Sequence, residues 1–447
     1  MSDAAAVTTG SSTPEAVSFW EATRLWAKVG FLSFGGAAGQ IAMLHKLVVD
    51  ERRWLDERTF INALNYCTLL PGPEAQQLAT YVGWRLHGVR GGVVAGALFV
   101  IPGAFVMLGL SLLYVMGRGL TVVDGLFLGI KAAVLAIVLE AIERIGRRAL
   151  RSGPLVILAI ASFAAILVFD APFPAVIVAA ALIGSVLGGK PAPSALSDVG
   201  QPQATPSVGL PVASLVCAVA WWFPVALAAA LLGASHVLVD LGLFFSKLAV
   251  VTFGGAYAVL AYLADAAVET KRWVVPSEMI DGLGLAETTP GPTILVNQFV
   301  GFLAAYRMPD PFTPLVAGIL GALITTWVTF APSFLWIFAG APYLERIVGN
   351  RRLAGALSGI TAAVVGVIAT LAVTFGLRVL FGDVGQIRWG AAIIPWPQLG
   401  TLKPDMALLS LLAALLLFRW HVSVVKTIVT MALTGLAFAL ARSIPWG

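Results

Sequence analysis

The chain has 447 residues, of which 59% are apolar and only 11% charged, and its formal net charge is +5. A soluble domain carries about a quarter charged residues, so this composition excludes a soluble globular protein and points to a polytopic membrane protein. The positive charge is small and scattered, which gives no footprint for nucleic acid. Cys67 and Cys217 each stand alone in apolar runs and form no metal-ligand pattern.

The polar start, Met1 to Thr13, has no basic stretch leading into a short apolar core, so no signal peptide is read there. Residues 1–19 read as a polar tail. Apolar segments follow at about 20–48, 58–88, 91–116, 121–145, 154–169 and 172–188, each read as a spanning or half-spanning helix. A Pro-, Ser-, Gly- and Gln-rich stretch at 189–210 reads as a linker, and a lone apolar helix at 211–233 as a connector. Further segments lie near 237–265, 277–306, 312–339, 353–380, 404–419 and 422–441. The expected fold is therefore an all-α polytopic membrane protein with about 13 transmembrane segments. The segments at 154–169 and 404–419 are short for a full span.

The first set of segments (20–188) and the last (237–441) are copies of one another. From Lys28 to Pro73 the halves align without gaps at an offset of 219 (247 − 28), with 15 identities over 46 positions. Farther on the offset becomes 230, pairing Pro102 with Pro332 and Gly129-Ile130 with Gly359-Ile360. The 11 extra residues (230 − 219) fall near Tyr306–Pro314, where a loop can absorb them. Such self-similarity marks an internal duplication. Two six-helix repeats joined by one extra helix place seven crossings between equivalent points, so the second copy reads as inverted. If the broken segments described next re-enter instead of crossing, that parity changes. In the crossing model Arg144, Arg147, Arg148 and Arg151 share a side with Arg346, Arg351 and Arg352, the cytoplasmic side by the positive-inside rule, while Arg52, Arg53 and Arg58 fall outside.

The second segment of each repeat is interrupted by the same tripeptide, Pro71-Gly72-Pro73 and Pro290-Gly291-Pro292. Two ring nitrogens without hydrogens and an intervening glycine break an apolar helix. In a membrane such a break survives only inside protein or along a wet cavity, and a matched pair of breaks is a strong pointer to a transporter's substrate site. Proline suits the first position of the helices that begin at Pro73 and Pro292. Their free N–H groups and positive dipole ends suit an anion. Each break follows a Lys-(five residues)-Phe-Gly-Gly segment: Lys28 with Gly35 and Gly36, and Lys247 with Gly254 and Gly255. These glycines permit close backbone approach or a second unwinding. The lysines either neutralise a bound anion or reach to an interface with their ammonium groups. Past the breaks, Gln76, Gln77, Thr293 and Asn297 supply amides and a hydroxyl for an oxyanion. Glu74 is either a proton carrier or a cap of its own helix, and Glu287 is a second candidate for proton transfer. Lys131 and Glu140 lie mid-segment opposite the uncharged Thr361 and Thr370. No nucleotide-binding, metal or flavin motif is present, so an ion gradient is the expected drive and no cofactor is expected.

The stretches Gly30-Phe-Leu-Ser-Phe-Gly-Gly, Gln40-Ile-Ala-Met-Leu-His45, Arg53-Trp54-Leu, Leu64-Asn-Tyr-Cys67 and Leu70-Pro-Gly-Pro-Glu-Ala-Gln-Gln-Leu-Ala-Thr-Tyr81 resemble the chromate transporter family, long-chain two-domain type. Phe253-Gly-Gly and Thr289-Pro-Gly-Pro resemble its second domain. One departure is Ala37, where that family commonly has proline. The resemblance implies a multi-pass inner-membrane exporter of chromate rather than an enzyme, driven by the proton motive force and conferring chromate resistance. Sulfate is then the expected competitor, protons and membrane lipid the other partners, and a homodimer is left open. Uptake or exchange of sulfate or another oxyanion, and a passive anion channel, are the alternatives on the same scaffold.

Overall fold

The computed structural model describes residues 17–34, 36–117, 119–187, 209–253, 256–340, 351–390 and 392–443. Gly35, Gly254, Gly255, Arg346, most of the N-terminal tail and nearly all of the linker lie outside the described residues. In the first half, helices run α1 Phe19–Leu32, α2 Gly36–His45, α3 Glu57–Leu69, α4 Glu74–Gly117, α5 Thr121–Ala149, α6 Gly153–Leu167 and α7 Phe173–Leu187. The connector is α8 (Gly209–Leu232). The second half contains α9 Val237–Val251, α10 Ala256–Asp265, α11 Pro276–Thr288, α12 Val296–Arg307, α13 Pro314–Gly340, α14 Arg351–Leu380, α15 Pro404–Ala414 and α16 Val424–Ser443. Six of these (α4, α5, α8, α13, α14 and α16) are long and apolar enough to cross a membrane, and α6 and α7 are apolar but shorter.

The segments expected as single crossings are hairpins. In the first half Glu21, in the opening turn of α1, forms an ion pair with Arg52, just beyond α2, and the Trp26 and Trp54 rings meet edge to face at 6.3 Å. The second half repeats this at the same offset of 219. Asp240 lies 2.5 Å from Lys271, and Phe245 stacks on Trp273 at 6.0 Å. A chain that leaves Glu21 and returns to it 31 residues later has folded back on itself. The reversal falls at Ser33-Phe34 and Thr252-Phe253, where the helices stop. Phe34 N–H bonds to the Leu32 carbonyl and Phe253 N–H to the Val251 carbonyl.

The Pro-Gly-Pro segments fold back likewise. Glu278, at the start of α11, bonds to Arg307, at the end of α12, at 2.6 and 2.7 Å, and Arg307 also donates to the Trp273 carbonyl at 2.7 Å. In the first half the His87 ring is 2.7 Å from the Val17 carbonyl, and the α2 residue His45 is 2.6 Å from Glu57 at the start of α3. Residues 17–21, 52–57 and 87 therefore gather at one end of the first half. Residues 236–240, 271–278 and 307–310 do so in the second, where the His236 ring is 2.7 Å from the Asp310 carbonyl. The reading of each broken segment as one crossing is corrected by these contacts: helices such as α11 and α12, of 13 and 12 residues at about 1.5 Å per residue, cannot bring their far ends together unless they are antiparallel.

Further details recur between the halves. Each first hairpin ends in a short π-helix, Lys46–Glu51 and Ala266–Thr270. An arginine in the left-handed conformation follows each, Arg53 at φ 52° and Arg272 at φ 54°. Next, α4 reverses at His87 and Gly88, so its second limb runs back along the first with Gly83 facing Gly91. The loop between α12 and α13 makes the same reversal with more residues, and Gly301 faces Gly321. Across the halves, Gly129 of α5 meets the Met431 carbonyl of α16, and Gly359 of α14 meets the Ala180 carbonyl of α7. In both places two backbones touch, and a Cβ has no room. Small residues at such crossings are how apolar helices associate in a membrane, where the hydrophobic effect between them is weak.

One element breaks the all-α expectation. Between α14 and α15 two short antiparallel strands, β1 Val384–Trp389 and β2 Ala392–Pro397, pair with Ile387 opposite Ile394. Gly390, at φ 61°, turns the chain between them, and Pro395 and Pro397 forbid a helix there. The corresponding connection in the first half, residues 150–152, is a short loop.

Candidate functional site

The hairpin tips of the two halves meet inside the protein. Gly72 N–H donates to the Thr252 carbonyl at 2.8 Å, and Gly291 N–H donates to the Ser33 carbonyl at 2.9 Å. Ser33 and Thr252 occupy equivalent positions in the duplication (252 − 33 = 219), so the two bonds are counterparts. Each Pro-Gly-Pro tip thus leans on the other half's Phe-Gly-Gly tip. Ser33, Gly72, Thr252 and Gly291 are all buried. The tips also rest on equivalent points of the opposite long helix: Gly103, after Pro102, packs against the Pro290 carbonyl, and Ser333, after Pro332, lies beside Gly72.

Gly72 sits at φ 118° and Gly291 at φ 97°, conformations that glycine alone adopts readily. Gly36, at φ 70°, begins α2, and a Cβ there would stand 4.0 Å from the Thr293 hydroxyl. The second tip is fully enclosed, from Thr289 through Gln298. At the first, Pro71, Pro73 and Glu74 are only partly covered.

Three of the four amide side chains behind the tips donate to backbone carbonyls, and the fourth to a hydroxyl. Gln77 donates to the Pro71 carbonyl at 2.7 Å and Gln76 to the Phe330 carbonyl at 3.5 Å. Asn297 donates to the Thr329 hydroxyl at 3.3 Å, and Gln298 to the Ala104 carbonyl at 2.8 Å. The amide oxygens of Gln76, Gln77, Asn297 and Gln298, together with the Ser333 hydroxyl, are buried without a hydrogen-bond partner. A cluster of buried polar atoms left unsatisfied is costly unless it meets a ligand, an ion or water. The glycine N–H groups expected to be free for an anion are engaged across the halves instead. The turns that follow are partly engaged as well: Gln77 N–H donates to the Pro73 carbonyl at 3.1 Å and Leu295 N–H to the Pro292 carbonyl at 3.0 Å.

Sequence reasoning assigned no role to Gln40. Its side-chain amide, 1% exposed, donates to the Gly291 carbonyl at 2.6 Å and to the Ser33 carbonyl at 3.1 Å. It pins the first tip of one half to the second tip of the other. A glutamine one turn into an apolar helix was the available signal. Its counterpart is Val259, so periodicity and the repeat gave no reason to single it out.

The charged candidates separate. Lys28 lies on an exposed face of α1. Lys247 lines a cleft of about 1320 Å³ that also reaches Lys131, Asp265, Glu269 and Arg378, with β1 and β2 along its rim. Glu287 is buried one turn before the second tip, and Glu74 opens the helix after the first. The tip residues thus converge in one place, whereas Lys28 does not join them.

A family model described as chromate transporter matches residues 20–185 and 239–437. The chain belongs to the chromate transporter family. Both matched regions contain one complete set of hairpin tips, which ties the family pattern to the meeting point described above. A chromate transport protein of Pseudomonas aeruginosa is 34% identical over 80% of this chain and 82% of its own length. A probable chromate transport protein of Synechococcus elongatus is 27% identical over 91% of this chain and 96% of its own. A chromate transport protein of Cupriavidus metallidurans is 26% identical over 78% and 81%. No solved structure matches the chain. As a chromate transporter family member with these apolar helices, the chain is a multi-pass membrane protein.

Proposed function

We propose that the protein carries chromate out of the cytoplasm in exchange for protons, with the oxyanion held where the four hairpin tips meet. The observation that carries this reading is the reciprocal bonding of the tips, Gly72 to Thr252 and Gly291 to Ser33. Backbone unwound at four buried points is the arrangement membrane transporters use for ions at mid-depth. The names of the relatives supply the anion. Gln76, Gln77, Thr293 and Asn297 are its ligands in this reading, and Lys247 attracts it from the cleft. Glu74 and Glu287, each within a turn of a tip, carry the protons.

The hairpins also favour inverted repeats. With α1–α2 and the Pro-Gly-Pro pair both re-entrant, each half keeps four crossings: the second limb of α4 with α5, α6 and α7, or α13 with α14, α15 and α16. Adding α8 gives five crossings between equivalent points, an odd number. Nine crossings and four re-entrant hairpins replace the thirteen crossings in this reading. It moves Arg52, Arg53 and Arg58 to the side of Arg144, Arg147, Arg148 and Arg151, in better agreement with the positive-inside rule. Single cysteines at positions 56 and 310 are therefore expected to label from opposite faces, 56 from the cytoplasm and 310 from outside. Labelling of both from outside would restore the crossing model.

Transport itself is tested in everted vesicles containing the protein. Radiolabelled chromate is expected to accumulate when a proton gradient is imposed, to collapse with an uncoupler, and to be reduced by excess sulfate. Gradient-driven sulfate movement without chromate movement would keep the site and replace the substrate. Chromate flux indifferent to the gradient and unsaturable would make the protein a channel.

A further inference from the structure

Lys131 stands ten residues inside α5, about 15 Å from its start, in a helix otherwise apolar enough to cross a membrane. A cation at that depth is costly without a partner or water. Its ammonium is 3.3 Å from Asp281 Oδ1 of α11, whose side chain is 3% exposed. The Tyr114 hydroxyl donates to the other oxygen, Oδ2, at 2.9 Å. This is a loose pair. Charge-assisted N–H···O bonds are about 2.7–2.9 Å long, and the 3.3 Å Lys131–Oδ1 contact is longer than that. The Lys131 side chain is 27% exposed, and it borders both the large cleft and a smaller cavity of about 180 Å³ lined by Tyr114, Asp124 and Ser277.

The pair is also asymmetric. The repeat counterparts of Lys131 and Asp281 are Thr361 (131 + 230) and Asn62 (281 − 219), both neutral. A fold built twice from the same plan manages without the charges once, so the plan alone does not require them. Lys131 belongs to the first half and Asp281 to the second, so a movement of one half against the other alters their separation.

We propose that Lys131 is an oxyanion ligand at the floor of the cleft and that Asp281 is its internal stand-in, the carboxylate that occupies the ammonium while no anion is bound. The inference rests on the transport reading above and adds a site to it. A tetrahedral dianion entering from the cleft displaces the weakly held Oδ1 and takes up the spare ammonium donors. Tyr114 keeps Asp281 in place so that it recaptures Lys131 when the anion leaves. Competition from an internal carboxylate weakens apparent affinity by the fraction of protein in which Lys131 is occupied.

The test uses purified full-length protein, with radiolabelled chromate uptake in proteoliposomes and the sulfate-induced rise in thermal midpoint in detergent as independent readouts. Lys131→Gln is expected to raise KM for chromate about tenfold or more, the loss of a charge-assisted bond, and to abolish the sulfate-induced rise. Lys131→Arg should retain much of both. Asp281→Asn should lower KM about threefold or more by removing the competitor. The double variant, neutral at both positions, should behave as Lys131→Gln and guards against a mere folding defect. Wild-type KM in Lys131→Gln, or a KM in Asp281→Asn raised as far as in Lys131→Gln, would overturn the proposal while leaving transport intact. Wild-type protein that moves no chromate and shows no response to sulfate would overturn the transport reading and this site with it.

Discussion

Gly72→Leu and Gly291→Leu are each expected to reduce chromate flux at least about tenfold in protein that still reaches the membrane. Both positions hold positive φ, 118° and 97°, where a side chain costs about 1–3 kcal/mol in backbone strain alone. About 1.4 kcal/mol is already a factor of ten. At Gly72 a Cβ would also stand 2.9 Å from the Gln77 amide nitrogen and 3.2 Å from the Ser333 hydroxyl. Relief at Gly72 requires the tip to turn, and that breaks the Gly72–Thr252 hydrogen bond. Gly109 in α4 has nothing within 4 Å of an added Cβ, so Gly109→Ala is the control and should leave flux unchanged. The measurement is uptake into everted vesicles, normalised to the amount of inserted protein. Normal flux in both leucine variants would remove the tips from the transport path.

Arg307→Ala is expected to destabilise the protein toward the lower end of the about 3–5 kcal/mol that losing one partner of a buried ion pair costs. The Arg307 side chain is itself 35% exposed, so solvent partly screens the pair. Glu278 is fully buried, with a side-chain exposure of 0%. Arg307 bonds to both of its oxygens and also to the Trp273 carbonyl. The same Glu278 side chain accepts from Val275 N–H at 3.0 Å and so caps α11. Loss of the guanidinium leaves that carboxylate in a low-dielectric setting and releases the base of the second hairpin. The Glu21–Arg52 pair closes a hairpin too, but its side chains are 45% and 46% exposed, so Arg52→Ala should cost only about 0–1 kcal/mol. Thermal unfolding of the two variants in detergent checks the contrast. Equal shifts would mean that burial of Glu278 does not set the strength of this contact.

Much of the arrangement could be read from residues alone. Pro71-Gly72-Pro73 and Pro290-Gly291-Pro292 announce helix breaks because proline lacks the N–H that a helix needs, whatever surrounds them. The Phe-Gly-Gly tips were harder to recognise as reversals. Glycine permits a break without enforcing one, and the 20–48 segment has the same apolar character whether it spans or doubles back. Its length was the available signal. Twenty-nine residues extend about 43 Å as a helix, well beyond a hydrocarbon core of about 30 Å, whereas two limbs of half that length fit within it. The β1–β2 pair was legible only as a proline- and glycine-rich interruption between two apolar segments.

The amino-acid sequence by itself determined the membrane class, the internal duplication, the two Pro-Gly-Pro breaks and the resemblance to the chromate transporter family. Each of these follows from local chemistry or from residues that repeat at a fixed offset. Only the tertiary structure decided that the broken segments double back, that Gln40 pins two tips together, and that Lys131 finds Asp281. Those facts depend on contacts between residues 31 to more than 200 positions apart, such as Glu21 with Arg52 and Gln40 with Gly291. Hydropathy and helix-breaking residues describe how a segment behaves on its own. They carry no record of which other segment it will meet.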